Sequence, residues 1–231
     1  EYAEAVVAGK ATANLCPVGG TSCAQEIAAA LGLELEERFP YRPVVHCGAT
    51  TGDRLKQTAY RGERTCRAGN IVAGIQGCAY GCIGFGDCVV SCDYDAIHIV
   101  DGLSKVDYAK CIGCGACARV CPRNIIHMIP FKSKHMMVVA CSNRDPGKAV
   151  KEVCKVGCIG CKGCTKRSGI FDVKDNLATV DYDQYDPDEM DAAELIIDKC
   201  PMKGIVFVGI PTAKDVEQVK DEHAPALVEA E

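Results

Sequence analysis

Tryptophan is absent from the 231 residues, and aromatic side chains make up only 6% of them. Few large groups are therefore at hand to fill a core. The apolar fraction of 48% is inflated by cysteine and small residues. Packing alone leaves such a chain short of stability, which points to disulfides or metal. Positive charge is not in excess either. The 26 Lys and Arg stand against 31 Asp and Glu, which excludes a protein that coats nucleic acid. No apolar run approaches the roughly 18–20 residues of a membrane-spanning helix. The longest, 136–141 and 204–210, are strand-sized. No secretory leader is visible. Gly84-Phe-Gly86 and Gly113-Cys-Gly115 do not continue as G-x-G-x-x-G, so no flavin or nicotinamide site is expected. Ser, His and Asp form no recognisable triad motif. The chain opens at Glu1 inside what reads as a helix, the expectation for a fragment or processed form, with an upstream anchor left open.

What the chain does have is 18 cysteines, twelve of them in three groups. The first group is Cys78, Cys82, Cys88 and Cys92. The second is Cys111, Cys114, Cys117 and Cys121, followed by Pro122. The third is Cys158, Cys161 and Cys164, with a distant Cys200 followed by Pro201. Cysteines two apart on a tight loop are poor disulfide partners, because bridge geometry restricts how their Cβ atoms face. They are good ligands for one centre. Cys111-x2-Cys114-x2-Cys117-x3-Cys121-Pro122 is the bacterial ferredoxin pattern, in which three thiolates wrap a cubane and a remote fourth closes it. Zinc ribbons space their C-x2-C pairs farther apart. Iron–sulfur is the expectation, in a reducing compartment.

The chain also repeats itself. Cys78-Ala-Tyr-Gly-Cys82-Ile-Gly matches Cys154-Lys-Val-Gly-Cys158-Ile-Gly, 76 residues later. Val-Val-His46-Cys47 matches Val-Val-Ala140-Cys141, and Cys121-Pro122 matches Cys200-Pro201. Asp101-Gly-Leu and Asp175-Asn-Leu are hairpin turns at matching places. Each unit reads as strand ending in Cys, helix, cysteine loop, hairpin, second cysteine loop, final strand. The fold expected is α+β: tandem units like bacterial two-cluster ferredoxins. Their bounds are 41–131 and 132–210, after an N-terminal helical segment 1–40 and before an acidic tail 211–231.

In a two-cluster ferredoxin the fourth cysteine of each run ligates the other cluster. In the first unit this assigns Cys78, Cys82, Cys88 and Cys121 to one cluster, and Cys111, Cys114, Cys117 and Cys92 to the other. The first loop is loose, with Gly84 to Asp87 inserted and Asp93 where proline is usual, and an exchange of Cys78 for Cys66 is an open alternative. In the second unit the first-type set is complete: Cys158, Cys161, Cys164 and Cys200. The second-type set is lost, its positions taken by Ser168, Tyr185, Asp188 and Asp191, and 188–199 reads as an amphipathic helix. Three [4Fe–4S] clusters are expected. Cys23, Cys47, Cys66, Cys141 and Cys154 read as small buried residues, with Cys47 and Cys141 alternatively shielding the clusters. His98 and His127 read as ordinary strand residues. Arg61, Arg64 and Arg67, and Lys162, Lys166 and Arg167, are candidate docking surfaces for an acidic donor, or simply solvated side chains. A polyferredoxin subunit of a hydrogenase or carbon monoxide dehydrogenase, or a structural metal protein, are the other classes.

Cys16-Pro-Val-Gly-Gly, the run from Cys78 to Cys88, the run from Cys111 to Pro122, and Lys155-Val-Gly-Cys-Ile-Gly-Cys161 together resemble the B subunit of the Rnf complex, in its long form, over roughly 1–209. The resemblance implies an electron relay within a membrane-bound ferredoxin:NAD oxidoreductase that pumps sodium ions or protons. It implies soluble ferredoxin and other Rnf subunits as partners, no nucleic acid, and a place at the cytoplasmic face of the cell membrane. It also implies that Cys16 is the fourth ligand of an N-terminal module, a further [4Fe–4S] site whose other three cysteines would precede Glu1.

Overall fold

The computed structural model describes residues 1–35, 38–72, 74–187 and 196–209. Within them, eight short strands pair two by two into four antiparallel sheets. β1 (Tyr41–Val45) pairs with β4 (Ile126–Pro130), from Tyr41 opposite Pro130 to Val45 opposite Ile126. Between them in sequence, β2 (Ile97–Val100) and β3 (Leu103–Val106) form a hairpin. The arrangement then recurs. β5 (His135–Val139) pairs with β8 (Ile205–Gly209), and β6 (Phe171–Lys174) and β7 (Leu177–Val180) form the hairpin between them.

Both hairpin turns follow from their sequences. A tight two-residue turn needs positive φ at both central positions, which Asp, Asn and Gly tolerate. Asp101 and Gly102 have φ of 45° and 73°, and Asp175 and Asn176 have 49° and 62°. Each turn presses on the cysteine loop of its own half. A Cβ at Gly84 (φ 84°) would strike the Gly102 carbonyl, and one at Gly160 (φ 63°) would lie 2.7 Å from the Asn176 carbonyl oxygen. Positions 84 and 160 thus need glycine for both conformation and space.

Six α-helices lie wholly within the described residues, beside a 3-10 turn at Thr51–Asp53 and a helical stretch at 196–199. α1 (Tyr2–Val7) and α2 (Gly20–Leu31) precede the strands, and left-handed Gly32 ends α2 by donating its N–H to the Ala28 carbonyl. α3 (Cys66–Ile71), α4 (Asp87–Val90), α5 (Ala116–Val120) and α6 (Gly147–Val153) are four to seven residues long. Helices so short depend on tertiary contacts rather than propensity. The chain is therefore α+β, with helix and strand interleaved. Residues 188–195 and 210–231, which hold most of the expected amphipathic helix and the acidic tail, lie outside the described residues.

One apolar core joins the two halves. Val44, Ile129 and Phe131 pack with Met136, Met137, Val138, Val139, Phe171, Leu177 and Ile205. Four consecutive β5 residues, Met136 to Val139, are at most 3% exposed. A half-buried strand would alternate; this one is covered on both faces. A second core is sulfur-rich, with Cys82, Cys88 and Cys117 among Ile97, Leu103, Ile125 and Ile126. Backbone bonds also cross between the halves: Leu55 N–H to Val153 O (3.0 Å) and Lys155 N–H to Asp53 O (3.0 Å). His98 and His127 sit on β2 and β4 and bond local carbonyls, Asp95 O at 3.2 Å and Asn124 O at 2.9 Å.

Met136→Ala should destabilise the protein by about 2–5 kcal/mol, since it empties a fully buried position. Val90→Ala, at a residue 89% exposed, should stay within about 0.5 kcal/mol. Denaturant midpoints of the two variants, read against the parent, check the contrast.

Candidate metal centres

In the first half a cavity enclosing about 380 Å³, part of it open to solvent, is lined by Cys66, Cys82, Cys88 and Cys121. Three of the four expected cysteines are there. Cys78 is not: it lines a different cavity, with Cys47, Cys141 and Cys154. Cys66 stands in its place. The reason is an insertion. Cys47 and Cys78 are 31 residues apart, whereas their counterparts Cys141 and Cys154 are 13 apart. The extra segment carries Cys66 and returns to the cysteine loop. Asp87 accepts the N–H groups of Cys66 (2.7 Å) and Arg67 (3.0 Å), and Thr65 Oγ1 accepts that of Ala68 (3.1 Å), so two side chains cap α3. Phe85 stacks on Tyr60, centroids 5.4 Å apart, and lies under Arg64 at 5.5 Å. The loose Gly84-to-Asp87 stretch is the latch that holds Cys66.

Burial pushes the Cys82 thiol up to about 12 and the Cys88 thiol up to about 11. Such thiols stay protonated unless a cation replaces the proton. Ser104 Oγ lies 3.3 Å from Cys88 Sγ. The Arg123 guanidinium also borders the cavity, and donates to the Cys78 and Gly81 carbonyls at 3.0 and 2.7 Å. It supplies positive charge where thiolates gather.

Cys111, Cys114 and Cys92 all lie close enough to Cys117, on α5, to act on its charge. Cys117 is raised to about 11 by burial, and next by Cys111, with Cys114 and Cys92 adding to it. Backbone N–H groups oppose that rise: Gly113 donates to Cys111 and Ala118 to Cys117. Ala96 N–H reaches Cys92 Sγ at 3.5 Å. This is the second group read from the sequence.

In the second half Cys158, Cys161, Cys164 and Cys200 line a cavity enclosing about 460 Å³, with Lys162 and Arg167 at its border. Cys161 is exposed. Gly204 N–H donates to Cys200 Sγ at 3.4 Å. Where Cys111 stands in the first half, the second has Tyr185, 3% exposed, whose hydroxyl accepts the Met137 N–H at 3.0 Å. Ser168 Oγ accepts the Ile170 N–H at 3.4 Å. Asp188 and Asp191 lie outside the described residues. Cys16 lies beyond α1, its sulfur accepting the Gly19 N–H at 3.3 Å, and a Cβ at Gly19 would touch both Cys16 and Cys23.

These arrangements suit an iron–sulfur cluster. Among the described residues no group of three or more His, Cys, Asp or Glu is placed to hold a single metal ion. The thiols stand around a space, and N–H donors aim at sulfur, as cluster binding requires.

Comparison with known proteins bears on this directly. Residues 104–127 match the 4Fe-4S binding domain family. Over 207 residues the chain is 39% identical to the B subunit of the ion-translocating oxidoreductase complex of Methanosarcina acetivorans, covering 88% of this chain and 76% of that protein. The chain belongs to the Rnf B-subunit family. It is also 37% identical over 219 residues to the B subunit of the Na(+)-translocating ferredoxin:NAD(+) oxidoreductase complex of Acetobacterium woodii, covering 92% of this chain and 64% of that one. A third relative is the B subunit of the proton-translocating ferredoxin:NAD(+) oxidoreductase complex of Clostridium ljungdahlii, 38% identical over 185 residues, covering 78% of this chain and 64% of that one. The chain thus spans 64–76% of the length of these relatives.

Asp87→Ala should cost about 1–2 kcal/mol through the lost cap and loosen Cys66. Cys66→Ser should lower iron by about four per chain. Iron and acid-labile sulfide analysis checks both, and unchanged iron in Cys66→Ser would return the first site to Cys78.

Proposed function

We propose that this chain is an iron–sulfur electron relay of a membrane-bound, ion-translocating ferredoxin:NAD oxidoreductase. The observation that carries the reading is the gathering of four cysteines, from loops far apart in sequence, around each of two cavities. The twofold strand pattern supports tandem ferredoxin-like units over 41–131 and 132–210. The ligand sets are Cys66, Cys82, Cys88 and Cys121; Cys92, Cys111, Cys114 and Cys117; and Cys158, Cys161, Cys164 and Cys200. Tyr185, buried where the second unit would need a thiolate, supports the absence of a second-type cluster there. Cys16 is the candidate fourth ligand of an upstream module.

A [4Fe–4S] cluster held by four thiolates supplies one-electron transfer and no open coordination position. The chain's own residues set the conditions. Backbone N–H groups of Gly113, Ala118 and Gly204 stabilise negative charge on sulfur, which favours the reduced state. Arg123 acts in the same direction. Buried Ile97, Leu103 and Ile125 keep water out and push the other way.

The names of the relatives supply the donor, reduced ferredoxin, and the partners, the other members of the complex. Cys161 is exposed beside exposed Lys162, Lys166 and Arg167, so an acidic donor docks best on this face. No helix of the described residues is long and apolar enough to cross a membrane. Attachment at the cytoplasmic face is therefore read from the family.

Lys162→Glu with Lys166→Glu should slow reduction by reduced ferredoxin about tenfold at low salt and flatten its salt dependence. Stopped-flow bleaching of the clusters measures it; an unchanged rate and salt profile would reject docking there.

A further inference from the structure

Four cysteines outside the three ligand sets come together where the two halves meet. Cys47, Cys78, Cys141 and Cys154 line one cavity of about 420 Å³, part of it open to solvent, a volume between those of the two cavities assigned above. They form two matched pairs in the repeat. Cys47 and Cys141 each follow the first strand of their half, and Cys78 and Cys154 each open a cysteine loop. Each half contributes one of each kind.

The donors around the sulfurs are paired in the same way. Cys82 N–H donates to Cys47 Sγ at 3.4 Å, and the matching Cys158 N–H donates to Cys141. Asn143, 1% exposed, gives its backbone N–H to Cys141 Sγ and its Nδ2–H to Cys78 Sγ, both at 3.4 Å. Val156 N–H donates to Cys154. All four sulfurs thus receive an N–H donor, which suits thiolates and does nothing for a plain apolar filler. Arg54 borders the cavity, bonded to the Ala49 and Gly102 carbonyls at 3.1 and 2.6 Å. His46 borders it too; its Nδ1–H donates to the Val139 carbonyl (2.8 Å), and burial lowers its pKa, so the ring is neutral and Nε2 is an acceptor that adds no positive charge. The N–H donors to all four sulfurs and the Arg54 charge suit thiolates gathered around a negatively charged occupant.

We propose that Cys47, Cys78, Cys141 and Cys154 hold a fourth [4Fe–4S] cluster, shared between the two halves. This goes beyond the relay reading and rests on it in one respect, that the chain assembles clusters. A single zinc ion fits less well, because the thiols stand around a space instead of converging. The position links the sites on either side. Cys78 lies four residues before Cys82, and Cys154 four before Cys158. One electron leaves a reduced neighbouring cluster, which is thereby oxidised, and enters the junction cluster; no bond is made and no proton moves. The electrons come from the low-potential one-electron carrier that feeds the chain.

The test is a count on the purified full chain, reconstituted without oxygen. Iron, acid-labile sulfide and zinc are measured, and the chain is titrated with a one-electron reductant under EPR. About sixteen irons and about four electrons per chain are expected, falling to about twelve and about three in Cys47→Ser/Cys154→Ser. About twelve irons in the parent, unchanged in the double variant, overturns the junction site and leaves the relay standing; so do twelve irons with one zinc that the variant loses. A chain without iron sinks the relay reading itself. Should the double variant fail to fold, Asn143→Asp keeps the acceptor for the Asp145 N–H (2.7 Å) and removes the donor to Cys78. It should move one reduction step to lower potential and leave the others, and a titration with no step moved overturns the assignment.

Discussion

Antiparallel pairing of the first strand of each half with its last is the constraint on which every site depends. Val45 opposite Ile126 places Cys47 at the same end of the sheet as Cys121, although 74 residues separate them. Val139 opposite Ile205 does the same for Cys141 and Cys200. The nested hairpins then close over the cysteine loops, with Gly84 and Gly160 admitting the turns at contact distance. Shift either register by one residue and the side chains exchange faces, which would scatter the thiols as well as expose the core.

The sparse aromatics find their explanation in the same geometry. Sulfur occupies positions that hydrocarbon fills elsewhere, with Cys82, Cys88 and Cys117 forming part of a core. Buried thiols stay protonated on their own, as the upward shifts of Cys82 and Cys141 to about 12 show. Cohesion there follows from replacing the protons by a cationic core. Arg54 and Arg123 lie beside these sulfurs, and the peptide N–H groups complete the offset of charge. The apolar run on β5 makes the two halves one body. It is covered on both faces, and it delivers Cys141 to the junction.

Much of this is legible in the chain. The C-x2-C-x2-C motif from Cys111, the Asp-Gly and Asp-Asn turns, and the α+β order all follow from local pattern, because a tight loop and a two-residue turn are set by neighbouring residues. The grouping of Cys158, Cys161, Cys164 and Cys200 around one cavity follows the same local pattern, with Cys200 marked by its Cys-Pro signature. Cys66 was legible only as an open alternative to Cys78, because it arrives from a segment with no counterpart in the second half. The repeat did carry a hint: Cys154, the match of Cys78, stands outside the four cysteines that line the second-half cavity.

The amino-acid sequence alone determined that thiolates in ferredoxin-like loops are this protein's working parts, since spacing over a few residues dictates which sulfurs can face one centre. Only the tertiary structure decided how distant cysteines are shared out. The place of Cys66 beside the first cavity, and the meeting of Cys47, Cys78, Cys141 and Cys154 around another, depend on how the capped α3 returns to its loop and how the two halves pack. Contacts between residues far apart in the chain are settled by strand register and core packing, and short-range pattern does not record them.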